Sequence, residues 1–144
     1  MTERGAVARS EDPEAARLRT APAERFAGSQ HVFSLDRVLT DLRSEAHPAR
    51  GGHRQITLLQ RGSVTQVLFS FEPGGRLREH SAAGLVTIHV LEGRLDVTAE
   101  GVVNPLAAGD VLILDPSVPH DVEAATESAM LLTVHLAGAG KDTP

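Results

Sequence analysis

Short hydrophobic runs rich in β-branched residues, separated by turn residues, make up most of the chain from Gln55 onward. This pattern is typical of an antiparallel sandwich or barrel. The turn sequences RGS, PGG, EGR and AAGD separate several of the runs. The pattern predicts strands at 55–60, 64–71, 76–79, 86–91, 94–99, 102–106, 111–114, 120–124 and 129–136. We therefore expect an all-β fold.

One segment before the strands has a different periodicity. Residues 34–46, SLDRVLTDLRSEA, begin with Ser34, a favourable residue for capping a helix. Their hydrophobic residues follow helical spacing, at Leu35, Val38, Leu39 and Leu42. The sequence HPARGG at 47–52 ends the pattern with a proline and two glycines. We expect a short amphipathic N-terminal helix.

The two ends of the chain lack a sustained apolar pattern. Residues 1–30 are rich in Ala, Arg, Glu and Pro, and predict a flexible N-terminal tail. An alternative is that this tail docks as an arm on a partner subunit. Residues 138–144 predict a flexible C-terminal tail. The remaining residues, 31–137, suit one domain, because a chain of 144 residues leaves little material for a second core.

Composition narrows the classes of partner and chemistry. The core must be built from aliphatic residues and four Phe, because the chain has no Trp and no Tyr. A formal net charge of −5 argues against binding to nucleic acid backbones or to anionic membranes. The absence of cysteine excludes disulfides, thiolate metal sites and a cysteine nucleophile. With no apolar leader segment and no long apolar run, we expect a cytoplasmic protein.

The segment 74–93, within PGGRLREHSAAGLVTIHVLEGRLDV, carries a first group of motif residues. It opens with two glycines, has a histidine after a predicted strand and closes with Leu-Glu-Gly. These residues are Gly74, Gly75, His80, Leu91, Glu92 and Gly93. The segment therefore combines turn glycines with a candidate ligand.

The segment 109–120, within LAAGDVLILDPSVPHDVEA, carries a second group. Its residues are Gly109, Asp110, the run Val111 to Leu114, Pro116, Pro119 and His120. In order and separation, the two segments resemble the two motifs of the cupin superfamily, although Asp115 and Ser117 stand where the pattern prefers Pro and Gly.

The resemblance covers roughly residues 55–136 and implies a small RmlC-like cupin. The implied fold is a double-stranded β-helix, or jelly-roll barrel, which encloses a cavity at its mouth. Cupins commonly pair through their sheets, so the resemblance also implies a homodimer.

The sequence departs from the family at its metal ligands. Ala82 stands at the position of the second motif histidine and Val86 at that of the glutamate, so only His80 and His120 are carried over. Two neutral imidazoles are a weak set of ligands. We expect a degenerate site that is metal-free or holds a divalent ion such as Zn, Mn, Ni or Fe only weakly. The expected pocket residues are His80, Ala82, Val86, Ile88 and His120.

Other polar residues are weaker candidates. If Val86 and Ile88 face the cavity, alternation turns His89 to the opposite face, unless a bulge intervenes. Gln66 and His135 lie on strands that could line the barrel, but neither matches a motif position. The acidic residues Glu92 and Asp110 are expected to bond loop amides, and Asp121 and Glu123 are expected to be solvated.

Two classes of function stay open. In the first, the cavity binds a small organic ligand, and the protein acts as a sensor or accessory protein without catalysis. In the second, the protein is a cupin enzyme of the isomerase, cyclase, lyase or oxygenase type. His80 and His120 would then hold a metal, or one imidazole would act as a general base.

Overall fold

The computed structural model describes residues 28–136, which form a helix and nine strands. The elements, in chain order, are α1 (Leu35–Arg43), β1 (His53–Arg61), β2 (Val64–Phe71), β3 (Arg76–His80), β4 (Leu85–Glu92), β5 (Arg94–Ala99), β6 (Val102–Ala107), β7 (Val111–Leu114), β8 (His120–Ala124) and β9 (Ser128–His135). All nine predicted strands are present, four of them with the predicted bounds and the others with ends that differ by at most two residues. The predicted tails, residues 1–30 and 138–144, lie outside the described range except for residues 28–30.

The strands form two antiparallel sheets. One sheet has five strands in the order β1-β2-β9-β4-β7, and the other has four in the order β3-β8-β5-β6. Strands that are neighbours in a sheet are mostly distant in sequence, as in a jelly roll. The predicted all-β jelly-roll fold is therefore confirmed.

Side chains that face inward from both sheets form the main core. On β4, Val86, Ile88 and Val90 are buried and alternate with more exposed residues. They belong to one hydrophobic cluster with Phe71 of β2 and Val97 of β5. The core is aliphatic with a few Phe rings, as the composition indicated.

The helix α1 covers part of the outer face of the five-stranded sheet. Its N-cap is Ser34, whose side-chain oxygen accepts a hydrogen bond from the backbone N–H of Arg37. Leu39 and Leu42 are buried against a second cluster on the outer face of the sheet. The sheet residues of that cluster are Ile56, Leu58, Leu68 and Ala129. The predicted helix is confirmed, and it ends at Arg43.

Arg43 fixes the end of the helix to the sheet. Its guanidinium lies 3.0 Å from a carboxylate oxygen of Glu92 and donates to the hydroxyl of Ser70 at 3.3 Å. Ser128, whose side chain is fully buried, stands beside this contact and bonds the backbone of Arg94 through its hydroxyl. An ion pair and hydrogen bonds therefore reinforce the hydrophobic packing of the helix on the sheet.

No helix within residues 28–136 combines the length and the apolar character that crossing a membrane requires.

We predict that Leu42→Ala lowers the free energy of unfolding by about 2–5 kcal/mol, because it opens a cavity between helix and sheet. The change would be measured by urea denaturation. The control is Val32→Ala, since Val32 is 89% exposed, and it should change stability by less than about 0.5 kcal/mol. Equal effects of the two substitutions would contradict the docking of the helix.

Candidate functional site: a histidine pair at one end of the barrel

The two histidines from the motifs meet at one end of the four-stranded sheet. His80 ends β3, His120 begins β8, and the two residues are direct partners in the antiparallel ladder. Their ring centroids are 4.2 Å apart, with the ring planes tilted by 58°. Residues that are far apart in the sequence thus form one compact site.

A β-bulge in β3 turns His80 toward the interior. Leu77 pairs with Val122, and His80 pairs with His120, so two residues of β3 lie opposite one residue of β8. In a regular strand, His80 would face away from the side to which Leu77 points, because it is three residues further on. The extra residue restores the inward direction.

Backbone carbonyls fix the orientation of both rings. Nδ1 of His80 lies 2.9 Å from the carbonyl oxygen of Arg78, and Nδ1 of His120 lies 3.0 Å from that of Val118. A carbonyl oxygen only accepts, so each Nδ1 carries the hydrogen and donates it. In its neutral form, each ring therefore presents its lone pair on Nε2.

His120 is the more buried of the pair, with 2% of its surface exposed. Its Nε2 is buried and has no hydrogen-bond partner among residues 28–136. Loss of solvation lowers the pKa of His120, and the neighbouring His80 lowers it further, whereas the bond to Val118 and the charge of Asp121 oppose the shift. At neutral pH the ring is uncharged, with an unused lone pair.

Small and aliphatic side chains surround the histidines. Ala82 and Val118 are half-buried against the main core, and Val86 is fully within it. Ile88 lies two residues further along β4 and is completely buried. The structure thus brings His80, Ala82, Val86 and His120 to the same end of the barrel, with Ile88 deeper in the core.

Three wall residues could not be identified from the sequence. Ala99 of β5 pairs with His120, and Val102 of β6 pairs with Ala99, so both share the inward face with the histidines. On the opposite sheet, Thr65 pairs with Val134, which packs against the main core. Their positions follow from the register of the strands, for which the sequence carries no local signal.

The inward-facing strand positions among the described residues carry no Asp, Glu, Lys or Arg. Their polar members are His53, Gln55, Thr57, Gln60, Thr65, His80, Asn104, His120 and Ser128. The charged residues of the four-stranded sheet, such as Arg76 and Asp121, lie on its outer face and pair there at 3.6 Å. The interior formed by the described strands is thus polar in places, and none of its side chains is Asp, Glu, Lys or Arg.

One hydrogen bond connects the two loops that carry the site. The N–H of Ser117, between β7 and β8, donates to the carbonyl oxygen of Ala82, between β3 and β4, at 2.8 Å. Ser117 has a φ of 70°, in the region that favours glycine, at a position where the motif prefers glycine. The strained turn is held in place next to Val118, whose carbonyl orients His120.

The remaining candidates lie elsewhere. His89 faces the outer side of its sheet, as alternation predicted, because it pairs with Leu131 of the outer cluster. Gln66 donates to the hydroxyl of Thr133, and His135 is exposed at the end of β9. All three are on the side of the five-stranded sheet away from the histidine pair.

The acidic candidates are also outside the barrel. Asp110 accepts from the N–H of Ala107, as expected of a turn residue. Glu92 instead forms the ion pair with Arg43, and Asp121 the pair with Arg76. Glu123 is exposed. None of these carboxylates supplies a third ligand to the histidine pair.

The donor set does not fit a mononuclear metal site of the usual kind. Such sites use three or four protein donors, often including a carboxylate. Within the described part of the chain, no group of three or more His, Cys, Asp or Glu side chains could hold a metal ion. Two neutral imidazoles would give a divalent ion too few ligands and no negative charge to balance its own.

A two-sheet jelly roll that brings two motif histidines together on adjacent strands defines a cupin. A family model described as "Cupin domain" matches residues 67–135, which include both motifs. Residues 67–135 therefore form a domain of the cupin superfamily. Among curated proteins, the comparison found no match.

Solved structures agree with this fold. A conserved protein of unknown function from Streptococcus pyogenes is 22% identical, with a TM-score of 0.63, over 78% of this chain and 93% of that one. An RmlC-like cupin from Shewanella frigidimarina is 25% identical, with a TM-score of 0.58, over 69% and 88%. Salicylate 1,2-dioxygenase from Pseudoaminobacter salicylatoxidans is 22% identical, with a TM-score of 0.61, over 69% of this chain but only 31% of the enzyme. The identities are low, so these similarities establish the fold and not a reaction.

We predict that His120 makes stability depend on pH. Its folded pKa lies below the ordinary value of 6.5, so below that pH the unfolded chain binds more protons than the folded protein. The free energy of unfolding should fall as the pH falls from about 6.5 through the folded pKa. Urea denaturation between pH 7.5 and 5 measures this fall. This decrease in the free energy of unfolding should be smaller in His120→Gln and unchanged in the control His135→Gln. A decrease in His120→Gln as large as in the parent would contradict the account.

Proposed function

We propose that the protein binds a small organic molecule at the histidine end of its barrel. The observation that carries this proposal is the buried Nε2 of His120, which has no hydrogen-bond partner. Buried polar atoms in folded proteins nearly always form a hydrogen bond. A buried polar atom without one costs about 1–3 kcal/mol of stability. A ligand group that donates to this atom would remove the cost.

The surroundings support a binding role. Ala82 and Val86 occupy the positions at which the family's metal ligands would stand, and they contribute apolar surface instead. Small-molecule sites are mostly apolar, with a few polar groups that orient the ligand. His80, whose ring packs against that of His120, is half-buried and thus connects this end of the barrel to solvent. A sensor or accessory role needs no more than this.

A cupin enzyme using the same two histidines is the second candidate. The observation in its favour is the tautomer: a ring whose Nδ1–H is held by a carbonyl presents Nε2 as a base or as a metal ligand. His120 is neutral at neutral pH, the state that a general base requires. A divalent metal would have to gain its other donors from water or from substrate, so we propose only weak metal binding.

We predict that compounds from a panel of small metabolites raise the melting temperature in the presence of EDTA. A ligand at a hundredfold excess over its Kd stabilises the native state by about 2.7 kcal/mol. The rise should disappear in the His80→Ala, His120→Ala double variant. The rise should persist in the matched His47→Ala, His135→Ala variant, since His47 lies beside Glu45 and His135 is exposed at the end of β9.

Either of two results would count against the binding proposal. If no compound raises the melting temperature, the site has no organic ligand of the tested kinds. If every rise vanishes with EDTA, the ligand depends on a metal and the enzyme candidate moves ahead.

We also propose that the protein is a homodimer that pairs through the outer face of its five-stranded sheet. Beyond the helix, this face exposes Val111 and Ile113 of the edge strand β7 beside His89 and Thr87 of β4. The outward-facing positions of β7 and β9 carry no Asp, Glu, Lys or Arg. Two chains of net charge −5 repel each other, so an uncharged face is where a second copy could approach with the least repulsion.

The dimer predicts a specific loss on substitution. Analytical ultracentrifugation of the parent protein should give twice the chain mass. Ile113→Lys should raise the dimer dissociation constant at least about tenfold, because it would bury a charge in the interface. Val103→Lys is the control, since Val103 is 57% exposed on the edge of the other sheet. A monomeric parent, or equal effects of the two lysines, would contradict this interface.

A further inference from the structure

We infer that the ligand is a neutral molecule that donates a hydrogen bond and has an apolar body, such as a phenol or an N–H azole. Carboxylates, phosphates and amines are excluded by the same site. This inference rests on the proposed function, and it names the chemical class that the site would accept. Charge, hydrogen-bond direction and surface each support it separately.

The first support is charge. No arginine or lysine faces inward from the described strands, so an anion that entered the barrel would lose its hydration without gaining a counter-charge. The nearest arginines on β3, Arg76 and Arg78, are exposed, and Arg76 is paired with Asp121. Anionic ligands therefore gain little electrostatic binding energy inside the barrel.

The same reasoning applies to cations. Every aspartate and glutamate of the described strands points outward or is exposed, and Glu92 and Asp121 are paired with arginines. An ammonium group at the histidine pair would be held only by neutral nitrogen atoms. The interior is therefore matched to ligands without a formal charge.

The second support is the direction of the hydrogen bonds. Both Nδ1–H groups are used by the carbonyls of Arg78 and Val118, so the pair offers lone pairs and no free N–H in its neutral form. Nε2 of His120 can only accept. A matching ligand must bring an O–H or N–H group, and a molecule with acceptors alone would leave the lone pair unsatisfied.

The third support is the apolar surface beside the histidines. Val102 is 59% exposed although it shares the inward face with Ala99, which is buried and pairs with His120. Val118 is half-buried next to the loop that orients His120. An exposed inward-facing valine offers contact for the body of a ligand whose donor group reaches His120.

Four probes of similar size separate these features. Phenol is neutral and donates, anisole has the same ring without a donor, benzoate is an anion and benzylamine is a cation. Binding is measured in EDTA by isothermal titration calorimetry, which also serves the variants, and in proteins that contain His120 the ¹⁵N chemical shift of its Nε2 reports contact at this atom. Phenol should bind at least about tenfold more tightly than each of the other three, since one hydrogen bond to a buried acceptor is worth roughly that factor.

A variant tests whether His120 is the acceptor. His120→Phe keeps an aromatic ring but removes the lone pair, so the preference for phenol over anisole should disappear. His135→Phe is the matched control and should retain the preference. If His120→Phe does not fold, Val102→Asp serves instead. It adds a carboxylate on the inward face, two strands from His120, and should weaken phenol binding while making benzylamine binding stronger.

The outcomes separate the inference from the proposed function. Benzoate, benzylamine or anisole binding as tightly as phenol would overturn the inference, while the proposed binding function would stand. If neither these probes nor a panel of larger fragments shifts the His120 resonance, the proposed function itself fails. A preference for phenol that persists in His120→Phe would also overturn the inference, because the donor would then be recognised elsewhere.

Discussion

The alternation of side chains across two facing sheets is the constraint on which the rest of the structure depends. Each strand sends every second residue inward, and the inward positions of the described strands are apolar or neutral. Charged residues lie on the outer faces, where they form ion pairs such as Arg76 with Asp121. Any group that binds inside must therefore suit an interior without formal charge.

The histidine pair fits this interior because a β-bulge and two backbone hydrogen bonds orient its polar rings. The bulge in β3 turns His80 inward, and the carbonyls of Arg78 and Val118 take up one N–H from each ring. The bond from Ser117 to Ala82 joins the loops that carry these groups. What is left is a buried acceptor on His120, and it is the feature from which both the proposed function and the class of ligand follow.

The strands and the helix could be predicted from the sequence, because alternation, helical spacing and turn residues are local signals. The His80 and His120 pair was predicted from the resemblance of two segments to cupin motifs. Local pattern alone would have turned His80 outward, since it lies three residues after the inward-facing Leu77. The bulge that corrects this is a property of pairing with β8 and has no local signature.

The rest of the site depends on long-range register. Ala99 and Val102 join the histidines only because β5 pairs with β8 and β6 pairs with β5. The absence of inward-facing charge likewise becomes visible only when every strand has its partner assigned. The ring tautomers follow from carbonyl positions that the sequence does not encode locally. Residue types thus predicted the fold, whereas the chemistry of the site required the assembled sheets.

The most direct test of the central claim is elemental analysis of the protein purified without a metal-affinity tag. The His80→Ala, His120→Ala double variant is prepared and analysed in the same way. The account predicts well under one equivalent of any transition metal in both proteins, because two neutral imidazoles in an uncharged interior hold a divalent ion poorly. Near-stoichiometric metal in the parent alone would contradict it, and would mean that donors from outside the described residues complete a metal centre.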